Sequence, residues 1–380
     1  LKVSSPLEAK YIARIIIGKL RLGFSTMTLM DSLSWAKHES KIDSEMLEMA
    51  YQQKADIGKL AESYLHHDFS IDAYRVEVGV PLVPALCQRL NTAAEIIEKM
   101  SSVYAEPKYD GLRIQIHIDK AGIIETDLSG QPTGRKPLYK AFTRNLEDVS
   151  DMFPELAAVV EQVSCQRCVL DSEAVGVELG TNKILPFQAT ITRKRKHEIE
   201  QSAQSVPIRF FVFDVMYVDQ TELIALPLKQ RKQQLLAVVP ANSSVVQVAT
   251  YITTNDADEL HRFHEAQLAL GLEGAVMKQV DSEYRSGRKG WRWVKIKEHE
   301  GTSGKLSDTI DCVVMGYYRG RGKRTGFGVG AFLLGVVHEI DGELVVKTIA
   351  KLGTGLSDAD FPAIKGLVDQ HTAPVAPKVY

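Results

Sequence analysis

Lys108, Tyr109, Asp110, Gly111, Leu112 and Arg113 are the residues whose types point most directly to chemistry. Beyond them Ile114, Ile116 and Ile118 alternate with Arg113, Gln115 and His117, the period of a strand. A lysine that only faces solvent needs no such company. A lysine that attacks phosphorus does, because its amine is a nucleophile only when deprotonated, and neighbouring cations or loss of water must lower its pKa. Gly111 would let a bulky ligand approach the backbone. Arg113 is spaced to clamp a phosphate. The same short segment also fits a strand-entry turn with a solvated lysine, so its meaning depends on what accompanies it.

Other segments supply that company. Thr143-Arg144-Asn145 is one. Leu170 to Val175 places Asp171 and Glu173 on one face of a strand, which costs free energy unless the carboxylates meet a metal or a cation. Phe213, in Phe210 to Asp214, offers an aromatic platform for a base, while Phe210 and Phe211 read as core. Glu273 to Lys278 follows, and then Trp291 to Lys297, where Lys295 and Lys297 share a strand face.

The elements that must position these residues fall into three blocks. Residues 1 to about 80 are helical in pattern: Leu7, Tyr11, Ile15 and Ile16 keep helical spacing, Asp31 or Ser32 caps a second helix, and Ser44 precedes a third. Prolines 81 and 84 predict an extended linker, and Leu86 to Met100 a further helix. Strands are expected at Ile114–Ile118, Ile123–Ile124, Val169–Val177, Ile208–Val218 and Gly274–Val280, with helices over Leu146–Val163, Lys229–Val238 and Ala257–Ala269. This is an α+β pattern with mainly antiparallel sheets. From about 305 the chain turns strand-rich and glycine-rich, the pattern of a small β-barrel.

The whole chain, 380 residues with 44% hydrophobic and 25% charged, suits two or three soluble domains with large cores. Its formal net charge of −2 neither announces a nucleic-acid partner nor excludes one, since such binding depends on local basic faces. No apolar run is long enough to cross a bilayer. Nothing at Leu1 reads as a signal peptide, and the absent initiator Met points to a fragment. Of the four cysteines, Cys165 and Cys168 form a C-x-x-C pair, but no second pair lies at zinc spacing, and two ordinary thiols fit better. The rest fits a reducing cytoplasm, nucleoid-associated if the source is prokaryotic.

In this order and spacing the segments resemble the ATP-dependent DNA ligases of the archaeal and eukaryotic replicative type, within the lysine-dependent covalent nucleotidyltransferases. Ser5 to Lys10, Gly18 to Gly23, Leu185 to Gln188, Lys194-Arg195-Lys196 and Gly316 to Gly320 strengthen the likeness, which runs over nearly the whole chain. It implies the end of a helical DNA-binding domain over residues 1–83, a nucleotidyltransferase domain over 84–300, and a truncated OB-fold barrel over 301–380. By resemblance, Lys108 takes AMP from ATP and Glu106 reads the adenine amino group. Arg113 and Arg144 bind phosphate or ribose, and Phe213 stacks on adenine. Glu173 meets ribose or metal, and Glu273 is a metal-linked acid, which implies Mg²⁺. Arg288, Lys289, Lys295 and Lys297 hold the nucleotide phosphates.

The resemblance also implies nicked duplex DNA as substrate, a sliding clamp as a possible further partner, no membrane, and a monomer. Lys194 to Lys196 and Arg319 to Arg324 are candidate contacts to DNA phosphates. Two departures stand out. Between Ile124 and Thr143 the chain reads as a longer loop, with Thr143 where the family has serine. No late basic segment of the kind that orients pyrophosphate is found before Tyr380. An RNA ligase or a capping guanylyltransferase is the rival enzyme reading, disfavoured by the helical leader and Glu106. A nicotinamide-dependent ligase lacks its zinc cysteines here. A chain that only binds nicks is disfavoured because the key side chains are intact.

Overall fold

The computed structural model describes residues 4–16, 23–66, 69–126, 131–181, 183–191, 206–297, 310–340 and 342–373. The chain divides into two compact units, Leu1–Glu298 and His299–Tyr380.

The first unit opens with helices Pro6–Ile16, Thr26–His38, Ser44–Gln53 and Ile57–Leu65. Their small core holds Met30, Leu47, Leu60 and Tyr64. The second helix starts earlier than the sequence suggests. Ser25 caps it by accepting from the Thr28 N–H, so Asp31 and Ser32 lie inside, and the Ser32 hydroxyl donates back to the Thr28 carbonyl. An extended strap over residues 75–85 then leads into the sheets.

Eleven strands of this unit follow in chain order: β1 (Gln88–Arg89), β2 (Val103–Pro107), β3 (Leu112–Thr126), β4 (Pro132–Thr143), β5 (Arg167–Gly176), β6 (Ile208–Val218), β7 (Thr221–Glu222), β8 (Val246–Val248), β9 (Ile252–Thr254), β10 (Gly274–Gln279) and β11 (Trp293–Lys297). They form two sheets, β1-β11-β10-β2-β9 and β4-β3-β5-β6-β7, with β8 beside β6. Pairing is antiparallel except for β1 with β11 and β6 with β8. Three expectations are corrected. The predicted loop after Ile124 is largely strand β4, paired from Ile114↔Thr143 outward. It is an edge strand, and that is where Pro132 and Pro137 are tolerated, since no further strand needs their missing N–H groups. The helix expected over Leu86–Met100 shrinks to Ala93–Met100, capped by Thr92, because Gln88–Arg89 pairs with β11 instead. Of Leu146–Val163 only Leu156–Gln162 is α-helical, Pro154 lying just before its first turn.

Alternation decides which side of each strand meets which core. Ile114, Ile116 and Ile118 of β3 join Phe153, Leu170, Phe210 and Leu235 under helices Leu156–Gln162 and Leu228–Val238. The opposite face of β3 is polar yet also buried. Gln115 accepts from the Leu82 N–H (3.0 Å) and donates to its carbonyl (2.7 Å). His117 Nδ1 accepts from the Gly79 N–H at 3.2 Å. Burial pushes the His117 pKa down to about 3, so it serves as a neutral acceptor. The strap is thereby fastened across β3. Val76, Val78, Leu82 and Ala85 close a third core with Val169, Met216, Tyr284 and Trp293.

The second unit is an antiparallel meander, β12 (Val313–Tyr318), β13 (Ala331–Ile340) and β14 (Glu343–Leu352), with helix Asp360–Asp369. Phe332, Phe361 and Val329 form its core. Among the described residues this is a three-stranded sheet and not a closed barrel.

Candidate active site

Sheet register places the chemistry. The antiparallel pairing of β2 and β10 sets Pro107 opposite Ala275 and Glu106 opposite Val276. The ladder continues one step: Lys108 N–H donates to the Gly274 carbonyl (2.9 Å) and Glu273 N–H to the Lys108 carbonyl (3.3 Å). Lys108 and Glu273 are thus neighbours although 165 positions apart in sequence, and the Lys108 ammonium donates to the Glu273 carboxylate. In the other sheet, β3 and β5 pair Arg113 with Glu173, and β5 and β6 pair Glu173 with Phe211. Residues from both sheets line a cavity of about 640 Å³ that includes Glu106, Lys108, Arg113, Glu173, Phe213 and Lys295.

Most of the expected site residues have a definite place. Lys108 and Glu173 face the cavity half-buried. Burial, only partly offset by Arg113 and Lys108, pushes the Glu173 pKa up to about 8. Glu106 is buried, with one carboxylate oxygen 2.5 Å from Lys232 Nζ and the other 2.7 Å from Lys278 Nζ. Phe213 lines the cavity with the Lys278 ammonium 4.2 Å from its ring centroid. Phe210 and Phe211 are core, as the sequence suggests. Arg144, in the turn after β4, and Arg288 are exposed at the rim. Lys289 does not line the cavity and lies 3.6 Å from Glu48 of the helical leader. The Lys297 side chain and the Lys194 to Lys196 run lie outside the described residues.

Two residues do something other than their types suggest. Arg113 spends its fork on protein: Nε and Nη2 donate to the two Asp171 oxygens (3.0 and 2.6 Å), and Nη1 donates to the Ala85 carbonyl (2.5 Å). Burial works against its charge, but Asp171 more than offsets this and raises its pKa. Asp171 also accepts from the Tyr284 hydroxyl (3.0 Å). The costly pair of carboxylates on β5 is therefore split, Asp171 meeting a cation and Glu173 facing the cavity. At Gly111 a Cβ would come within 2.4 Å of the Ala174 carbonyl, so the close approach it permits is by β5.

Sequence reasoning missed Lys232, Asp214, Arg231, Tyr284 and the environment of Lys278. Asp214 accepts from Arg231 at 2.8 and 3.0 Å, both side chains fully buried. The signal was present in helix Leu228–Val238. Arg231 and Lys232 interrupt the apolar stripe of Leu228, Leu235 and Val238 on its buried face. Cations there must meet buried anions.

Residues 133–297 match the family model of the ATP dependent DNA ligase domain. The Probable DNA ligase of Dictyoglomus turgidum is 35% identical over 368 residues, covering 96% of this chain and 60% of that protein. The DNA ligase of Pyrobaculum islandicum is 37% identical over 373 residues, covering 98% and 59%. Residues 133–297 are thus an ATP-dependent DNA ligase domain, within a chain similar to these ligases over nearly its whole length. The chain spans about 60% of the length of these two ligases. The domain match holds Arg144, Glu173, Phe213, Glu273 and Lys295, while Glu106 to Arg113 fall in the wider likeness to the two ligases. The solved structure named Pmar-Lig_PreS3 shares the fold, with a TM-score of 0.50 at 17% identity, covering 94% of this chain and 67% of that one.

Proposed function

We propose that this chain is the catalytic part of an ATP-dependent DNA ligase that seals nicks in duplex DNA through a lysine–AMP intermediate, in replication, repair and recombination. The observation that carries it is Lys108, facing a cavity with the Glu273 carboxylate against its amine. The Lys108 nitrogen attacks the α-phosphorus of ATP, the bond to the bridging oxygen breaks, and pyrophosphate leaves. Glu273 is placed to take the proton that the ammonium must lose. AMP then passes to the 5′-phosphate of a nick, and the 3′-hydroxyl displaces it. Positioning and charge neutralisation dominate such transfers, which suits Lys295, Arg288 and Arg144 as phosphate contacts at the cavity and its rim.

Mg²⁺ fits this donor set in one way. No group of three or more metal-ligating side chains occurs among the described residues. Glu173 and Glu273 would hold the ion as two carboxylates, the rest of its shell being phosphate and water, as Mg²⁺ commonly prefers. Bound there, it would neutralise triphosphate charge. Helices 1–83 and the second unit, read as part of an OB-type barrel, would supply DNA contacts. In the second unit Arg319 and Arg321 are exposed, whereas Arg324 donates inward to the carbonyls of Gly330 and Gly353 (3.0 and 2.6 Å). A monomer acting in the cytoplasm, with or without a sliding clamp, completes the reading.

The test is incubation with ATP labelled on the α-phosphate, followed by addition of a nicked duplex. Label that stays on the denatured protein, is released by acid but not by alkali as a lysine phosphoramidate is, and chases onto DNA and then into a sealed strand is expected. Absence of protein label at saturating ATP and Mg²⁺ would refute the reading. Phe213→Ala should weaken ATP binding by about 1–3 kcal/mol if the ring stacks on adenine. A binding isotherm with a melting curve checks this, since a purely structural Phe213 would lower the melting temperature and leave the affinity of the folded fraction unchanged.

A further inference from the structure

The lysine pair around Glu106 is more than charge balance requires. One carboxylate needs one counter-ion, yet Glu106 has two, and all three side chains are almost wholly buried. The other anion nearby, Asp214, is already held through both oxygens by Arg231. Burying a second ammonium costs free energy, and burial does push the Lys278 pKa down. Its site softens that cost. Lys278 Nζ lies 4.2 Å from the Phe213 ring centroid and 4.3 Å from that of Trp293, and donates to the Phe213 carbonyl at 3.2 Å. Lys232 comes from helix Leu228–Val238 and sits 4.9 Å from the Tyr251 centroid. One ammonium thus touches both the aromatic platform and the carboxylate beside it, and a second forms an ion pair with that carboxylate's other oxygen.

Resting on the ligase reading, we propose that Lys232 and Lys278 are positioning residues that set the nucleobase preference of the site, by clamping both oxygens of Glu106 so that it offers only acceptors to the base. An acceptor-only carboxylate receives the exocyclic amine of adenine and repels the 6-oxo group of guanine, which is itself an acceptor. A clamp at both oxygens also removes the rotation by which Glu106 would adapt to another base. Discrimination of this kind comes from a buried polar group left unpaired by the wrong ligand.

The experiment compares covalent labelling of the full chain by ATP and by GTP, each labelled on the α-phosphate, for the parent protein, Lys232→Met and Lys278→Met. The parent should favour ATP strongly. Each variant should narrow the ATP-to-GTP ratio of labelling rates at least tenfold. The ratio divides out the folded fraction, so partial unfolding cannot imitate this result. Should a methionine variant fail to fold, Lys232→Gln or Lys278→Gln, which fills the site without the charge and leaves Glu106 in place, should narrow the ratio likewise. A ratio unchanged in the folded variants would overturn the proposal and leave the lysines as purely structural. A parent protein labelled by neither nucleotide would instead overturn the ligase reading on which it rests.

Discussion

Lys108→Ala should take up no AMP from ATP, even at saturating nucleotide and long incubation. Of the amines near the cavity, Lys232 and Lys278 are both committed to Glu106, and Lys295, opposite Val276 in the register of β10 and β11, is the one read here as a phosphate contact. A replacement nucleophile is therefore not at hand. Lys108→Arg should fail equally, because a guanidinium stays protonated and cannot attack phosphorus. Neither change should disturb folding, since the Lys108 side chain is 21% exposed and its sheet contacts are made by backbone. Sealing of a nick that already carries 5′-AMP should survive in Lys108→Ala, because that step needs no lysine nucleophile. Gel detection of labelled protein and of sealed DNA separates the two steps. Labelled AMP on the Lys108→Ala protein would show that the nucleophile lies elsewhere.

Much of this site was legible because its signals are local. The lysine with its Asp-Gly and arginine, the two carboxylates spaced by two, and the aromatic strand all sit on elements whose period of two could be read directly. Strand β6 and helix Ala257–Ala269 match their expected bounds for the same reason. What could not be read was who pairs with whom. Arg113 as a phosphate clamp and Arg113 as a partner of Asp171 give the same sequence, 58 positions apart. The choice depends on a register between β3 and β5 and on a strap that brings Ala85 to the same guanidinium. The Glu106 cluster draws on β2, helix Leu228–Val238 and β10, so its members look unrelated along the chain. Strand β4 was hidden by its prolines and glycines, which mark a loop unless the strand is known to lie at a sheet edge.

The Arg113–Asp171 pair yields the largest expected effect on stability. Its side chains are 15% and 0% exposed, and the guanidinium makes two hydrogen bonds to the carboxylate. Removing one member of such a pair leaves an unpartnered buried charge, at a cost of about 3–5 kcal/mol. Asp171→Asn should lower the urea midpoint accordingly, and tryptophan fluorescence should follow it, because the Arg113 guanidinium lies 5.3 Å from the Trp293 ring centroid. Arg113→Met should cost a similar amount, since Asp171 would keep only the Tyr284 hydroxyl as a side-chain donor. The double change Arg113→Met with Asp171→Leu should cost well under the sum of the two single changes, because no charge is then stranded. The same variants decide what Arg113 is for. A frame residue predicts a lowered midpoint with ATP affinity intact in the folded fraction. A phosphate clamp predicts the reverse for Arg113→Met, with affinity lost and the midpoint nearly unmoved. The commitment of Arg113 to Asp171 and Ala85 favours the first outcome. The strap and β3 then hold the wall of the cavity through one guanidinium, and in the proposed reaction phosphate recognition would fall to Lys295, Arg288 and Arg144.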